Sequence, residues 1–183
     1  MTATTLDPKT ALVVVDLQKG IVGLLTVHPT ADIVANSATL ADAFRAKGLP
    51  VVLVRVTGGA PGRTETPRHS GTPADDWAEI VSELGPREGD IVVTKQQWGA
   101  FYGTDLDLQL RRRGVTQVVV TGVATSIGVE STARSAHEHG YHVTVVTDAV
   151  TDMDTDAHRN SVERIFPRLG ETDTTEAIVK LLG

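Results

Sequence analysis

The chain contains no cysteine. That absence excludes a thiol nucleophile, disulfides, and zinc or iron–sulfur sites built on thiolates. Aromatic residues make up only 4 % of the sequence, so the gathering of Trp98, Phe101 and Tyr102 in one short stretch stands out. No basic tract exists beyond Arg111-Arg112-Arg113 and the net charge is −6, which argues against a nucleic-acid partner. No apolar run approaches the ~20 residues of a membrane span. The first ten residues lack a charged segment followed by an apolar one, so no secretory signal is read there. The expectation is a soluble, cytoplasmic protein without a membrane partner. At 183 residues it fits one domain, 1–183, on the usual prior of ~150 residues per domain. Such a length buries a core without staples.

What the chain does have is alternation. Short apolar runs end abruptly in polar residues: Ala11–Val15 at Asp16, Ile91–Thr94 at Lys95, and Val115–Thr121 at Gly122. Val51–Val56 and Tyr141–Val146 are similar runs, and Glu171–Thr172 would add a short last strand. Continuous rather than alternating apolar runs suit strands covered on both faces. Helical spacing separates them. Ile33, Val34, Ser37, Leu40, Ala41 and Phe44 share one face between Thr30 and Lys47, and Gly48 supplies the stop. Further helices are expected over 105–113, 126–139, 156–166 (with Pro167 just beyond) and 174–182. The fold class is therefore α/β: a three-layer α/β/α sandwich around a mainly parallel, Rossmann-like sheet of about six strands.

In open sheets of this kind ligands bind beyond the carboxyl ends of the strands, where strand order reverses. Asp16, Lys95 and the turn from Gly122 to Gly128 all fall at such ends. An acid and a lysine brought together there could form a catalytic pair in which Lys95 tunes Asp16. Each alone has a plainer reading: a capping Asp and a solvated strand-end Lys. The turn leads into a helix, so its backbone N–H groups could hold an anion. Trp98, Phe101 and Tyr102 could wall a pocket. Arg63 and His69 sit in a long Gly/Pro/Thr-rich loop over 57–73 and read as mobile surface residues. His137, His139 and His142 lie near a helix end, where cationic residues suit the helix dipole.

Four segments in order carry a resemblance: Val14-Val15-Asp16-Leu17-Gln18; Lys95 followed by Trp98-Gly99-Ala100-Phe101-Tyr102-Gly103-Thr104; Thr121-Gly122-Val123-Ala124-Thr125-Ser126-Ile127-Gly128-Val129-Glu130; and Val145-Val146-Thr147-Asp148-Ala149. Together they resemble the isochorismatase-like hydrolase superfamily over nearly the whole chain. The resemblance implies a small-molecule hydrolase with Asp16 and Lys95 as catalytic residues. It places Gly128 where most members carry the nucleophilic cysteine, which closes the thioester route. Isochorismatases proper also lack that nucleophile, and their precedent is acid cleavage of an enol ether. On this reading Asp16 is the general acid, Lys95 orients it or binds a substrate anion, and the Val123–Gly128 backbone is an anion cradle. Gln18, Trp98, Phe101, Tyr102, Val123, Ala124, Thr125 and Ser126 are the expected substrate-binding residues. The resemblance further implies a cis peptide at Val123-Ala124 and a homodimer or tetramer. Nicotinamidase-like metal sites use an Asp-x-His pattern that the stretch 57–71 lacks, so no metal is expected, and no cofactor. Ser126 departs from the residues usual at its position. It or Thr125 could replace the nucleophile, but no adjacent base is evident, and a capping hydroxyl is the plainer reading. The alternative to an enzyme is a small-molecule-binding descendant that has lost turnover.

Overall fold

A computed structural model describes residues 2–24, 26–66 and 73–183. Six strands form one parallel sheet: β1 Thr10–Val15, β2 Val51–Val56, β3 Ile91–Lys95, β4 Gln117–Val123, β5 His142–Thr151 and β6 Glu171–Asp173. Their spatial order is β3-β2-β1-β4-β5-β6. The chain therefore runs outward from β1 in one direction and outward from β4 in the other. The order reverses between β1 and β4, so a crevice opens beyond their carboxyl ends.

The apolar runs are continuous because both faces of the sheet are covered. Along β1, Ala11, Val13 and Val15 point into one core while Leu12 and Val14 point into the other. Helices α2 (Thr30–Ala46) and α7 (Thr175–Leu182) pack Phe44 and Ile178 on the second face. Helices α3 (Leu106–Arg112), α4 (Glu130–Glu138) and α6 (Phe166–Leu169) pack Leu106, Ala133 and Phe166 on the first. The six residues read as the inward face of α2 are its six buried residues. Truncating Phe44, which is wholly buried, would cost roughly 3–5 kcal/mol.

The structure departs from the sequence reading in three places. The segment after Asp16 is not a plain turn, because Lys19–Val22 forms a short helix, α1. Strand β5 does not stop at Val146. It continues to Thr151 through a register shift against β4 between Val120 and Gly122, and Asp148 instead accepts from the Thr175 N–H and hydroxyl at the start of α7. Pro167 lies inside the last helical stretch: α5 (Thr155–Asn160), a π-type turn (Ser161–Ile165) and α6 run on from one another. Proline lacks the N–H that a regular ladder uses, and it sits here in the first turn of α6, where none is required. No helix among the described residues is long and apolar enough to cross a membrane.

Candidate active site

One close approach and one left-handed residue set the site. Gly122 adopts φ 120°, and a Cβ there would lie 2.0 Å from the Val15 carbonyl oxygen, so only glycine lets β4 run this close to the end of β1. Asp16 then takes φ 54°, a left-handed conformation that Asp tolerates better than most residues. Gln18 fixes that turn. Its backbone N–H donates to the Asp16 carbonyl, its side-chain oxygen accepts from the Val56 N–H at 2.8 Å, and its side-chain nitrogen donates to the carbonyls of Val56 and Trp77. Gln18 is wholly buried, and every polar atom of its amide is used in bracing. It stands behind the site rather than in contact with substrate space.

Lys95 reaches from the end of β3 across β2. Its Nζ lies 2.7 Å from Asp16 Oδ2, and it donates also to the carbonyls of Gln97 and Trp98 at 3.0 and 2.7 Å. Three acceptors match the three protons of an ammonium. The pair is deeply buried, Asp16 at 6 % exposure and Lys95 at 2 %. Burial raises the Asp16 pKa from 3.8 to about 6, and the attraction and hydrogen bond of Lys95 only partly offset that rise. The reason is visible in the other oxygen. Asp16 Oδ1 is cut off from solvent and has no hydrogen-bond partner among the described residues. With Oδ2 held by the ammonium, the proton of the neutral acid belongs on Oδ1.

The turn after β4 begins with a cis peptide at Val123-Ala124, as the resemblance implies. A π-type turn, Thr125–Val129, then leads into α4. Part of the expected anion cradle is spent. The Ser126 N–H donates to Asp152 Oδ2 at 2.7 Å, and the N–H groups of Ile127 and Val129 both donate to the Ala124 carbonyl. Nor are the two hydroxyls free. Ser126 Oγ donates to Asp152 Oδ2 at 2.8 Å, and Thr125 Oγ1 lies 2.9 Å from His158 Nδ1. His158 is thus the adjacent base that sequence spacing did not reveal. Its pKa is lowered by burial first and by nearby His28, against an opposing pull from Asp152. Thr125 is wholly buried, and neither it nor His158 lines the cavity beside Asp16. Gly128 is not an empty seat either. A Cβ there would meet Val15 Cγ1 at 3.1 Å and Asp16 Oδ2 at 3.3 Å, so the position is closely packed and aimed at the carboxylate.

A cavity of about 200 Å³ opens beside this pair. Asp16, Lys95, Val123, Ala124 and Gly128 line it on the sheet side, and Ile21, Val56, Gln97 and Ile127 continue the wall. Leu24, Trp98 and Met153 form an exposed apolar rim. The aromatic loop divides. Trp98 lines the cavity, whereas Phe101 is buried in the core against His139 and Tyr141, and Tyr102 is 82 % exposed and no part of the wall. Thr125 and Ser126 lie behind the wall on their own partners. Arg63 is exposed and outside the cavity, and His69 falls outside the described residues. Arg134 pairs with Glu130 one turn away. A larger groove of about 530 Å³, walled in part by Gln117, Tyr141 and Glu171, lies at the amino ends of the strands, remote from Asp16.

Residues 10–177 match the model of the isochorismatase domain. The chain is 46 % identical over 180 residues to the isochorismatase family protein YwoC of Bacillus subtilis, covering 94 % of this chain and 93 % of the relative. It is 32 % identical to the ureidoacrylate amidohydrolase RutB of Methylobacterium radiotolerans, across 97 % and 81 % of the two chains. Among solved structures, an isochorismatase family protein from Burkholderia thailandensis superposes with a TM-score of 0.94 at 47 % identity, over 97 % of both chains. N-carbamoylsarcosine amidase from Thermoplasma acidophilum superposes at 0.76 with 32 % identity, over 92 % of this chain and 97 % of that one.

Proposed function

This chain belongs to the isochorismatase family, and we propose that it is a cysteine-independent hydrolase of small molecules in which Asp16 is the proton donor. The observation that carries this reading is the state of one carboxyl group. Asp16 lines the cavity, with Oδ2 held by Lys95 and Oδ1 left without a partner. A pKa of about 6 keeps a useful fraction of the acid protonated near neutral pH, where an ordinary carboxyl would be almost wholly ionised.

An enol ether needs only what this site has. Asp16 delivers its proton to the carbon of the double bond remote from oxygen, and the electron pair of that bond forms the new C–H bond. The carbon bearing oxygen becomes an oxocarbenium ion, which the re-ionised carboxylate and its surroundings stabilise. Water adds to that carbon and loses a proton, which restores the acid. The resulting hemiketal collapses to a ketone and an alcohol, for a net consumption of one water. Lys95 contributes as a positioning residue, because its three protons are all engaged. It limits how far burial raises the Asp16 pKa and holds the carboxyl in place through Oδ2.

The amidohydrolase relatives make amides the natural comparison substrates. A panel of vinyl ethers and amides followed by proton NMR tests the reading. The expected result is enol-ether turnover that disappears in Asp16→Asn. Full turnover by Asp16→Asn would remove the general-acid role. Tight binding of a panel member with no turnover would point instead to a binding protein.

A further inference from the structure

The charge a pocket accepts is set by the polar groups that keep spare hydrogen-bonding capacity after the protein has satisfied itself. Apart from the indole of Trp98, three side chains of the described cavity wall are polar: Asp16, Lys95 and Gln97. Lys95 is the one cation among the described wall residues, and its ammonium is saturated by Asp16 Oδ2 and two carbonyls. Gln97 is saturated too. Its side-chain nitrogen donates to the carbonyls of Gly99 and Tyr102, and its oxygen accepts from the Gln96 N–H at 3.2 Å. The turn amides of Ser126, Ile127 and Val129 are spent on internal acceptors. Gly58 and Gly59 add backbone dipoles without net charge.

Of the charged groups, what remains for a ligand is a carboxyl group set among Ile21, Val56, Val123 and Ile127, under a rim of Leu24, Trp98 and Met153. An anion entering here would be stripped of water, meet no free cation of the described wall, and lie against Asp16. We propose that the cavity selects small, uncharged, mainly apolar substrates and rejects carboxylates. This rests on the reading of Asp16 as the reactive group. The volume of about 200 Å³ lies below the ~300–1,000 Å³ usual for drug-sized ligands and favours small ones. Above pH 6 Asp16 is mostly ionised and the discrimination is strongest.

Benzamide and benzoate share a ring and differ in charge, so calorimetric titration of the intact protein with each at pH 8 reads the preference. Benzamide is expected to bind at least about tenfold more tightly than benzoate. Benzoate binding as tightly as benzamide overturns the proposal, and so does the absence of benzamide binding. Met153→Arg places a cation on the rim and is expected to shift the ratio toward benzoate by about tenfold. An unchanged ratio would place the ligands elsewhere and overturn the assignment of the preference to this cavity. The titration reads binding without turnover. A lost preference beside Asp16-dependent turnover removes the selectivity and leaves the acid role standing. A retained preference beside full activity of Asp16→Asn does the reverse.

Discussion

On either side of the turn after β4 lies a polar cluster, and the two differ in what they leave unfinished. Behind the turn, Thr125 meets His158 and Ser126 meets Asp152. By residue type this looks like a nucleophile and its base, but none of it lines the cavity beside Asp16 and its hydroxyls are engaged. In front of the turn, Asp16 and Lys95 make a less suggestive pair, an ordinary buried salt bridge at 2.7 Å. Yet that pair keeps an unpartnered oxygen and lies on a cavity wall. Satisfied polar clusters rigidify a fold, whereas a desolvated group left short of partners stores the free energy that chemistry can use. The cluster behind the turn therefore holds the backbone in place, and the cluster in front carries the reaction.

The largest expected effect falls on the front cluster. Asp16→Asn should lower kcat on an enol ether by about 10²–10⁴-fold with the fold intact by circular dichroism. A comparable loss in Thr125→Val would break the contrast and move the nucleophile behind the turn. Lys95→Met comes next. Removing one partner of a buried pair is expected to cost roughly 3–5 kcal/mol in denaturant unfolding at pH 8. That loss should shrink on acidification, and the direction follows from linkage. Folding raises the Asp16 pKa above 3.8, so the folded state holds this proton more tightly. Asp16 therefore favours the fold at acid pH and loses that contribution as pH rises through about 6. Without Lys95 the pKa rises further, and the penalty becomes confined to more alkaline solutions.

The third expectation is kinetic. Turnover of an enol ether should fall about tenfold per pH unit above the Asp16 pKa of about 6, and in Lys95→Met the break should move to higher pH. A profile that rises with pH would instead make Asp16 a base. The smallest effects belong behind the turn. Ser126→Ala removes one charge-assisted hydrogen bond to Asp152 and should cost about 1.5–3 kcal/mol of stability. Activity should change by no more than a few-fold, measured on protein that remains folded.

Much of this contrast was legible in the sequence, and the illegible part has physical reasons. Asp16 and Lys95 could be found because apolar runs that end in charge mark strand ends, and in a parallel sheet such ends converge. The inward face of α2 could be read because helical period and burial coincide there. The aromatic loop could not be divided into wall, core and surface. Trp98, Phe101 and Tyr102 lie within five residues, and irregular backbone gives no period from which to assign their directions. Gln18 looked like a ligand-facing polar residue because sequence shows its position beside Asp16 but not the carbonyls behind it. His158 and Asp152 were missed because they arrive from α5 and from just past the end of β5, 33 and 26 residues beyond Thr125 and Ser126. The anion cradle is narrower than expected for the same reason, since the amides of Ser126 and Ile127 are taken by Asp152 and by the local Ala124 carbonyl.

The central claim is that Asp16, though paired with a lysine, is a poised acid because its second oxygen is buried without a partner. Titration of the Asp16 carboxyl carbon by carbon-13 NMR tests it without any substrate. A midpoint near pH 6 is predicted. A midpoint at or below pH 4, as the salt bridge to Lys95 alone would give, would contradict it.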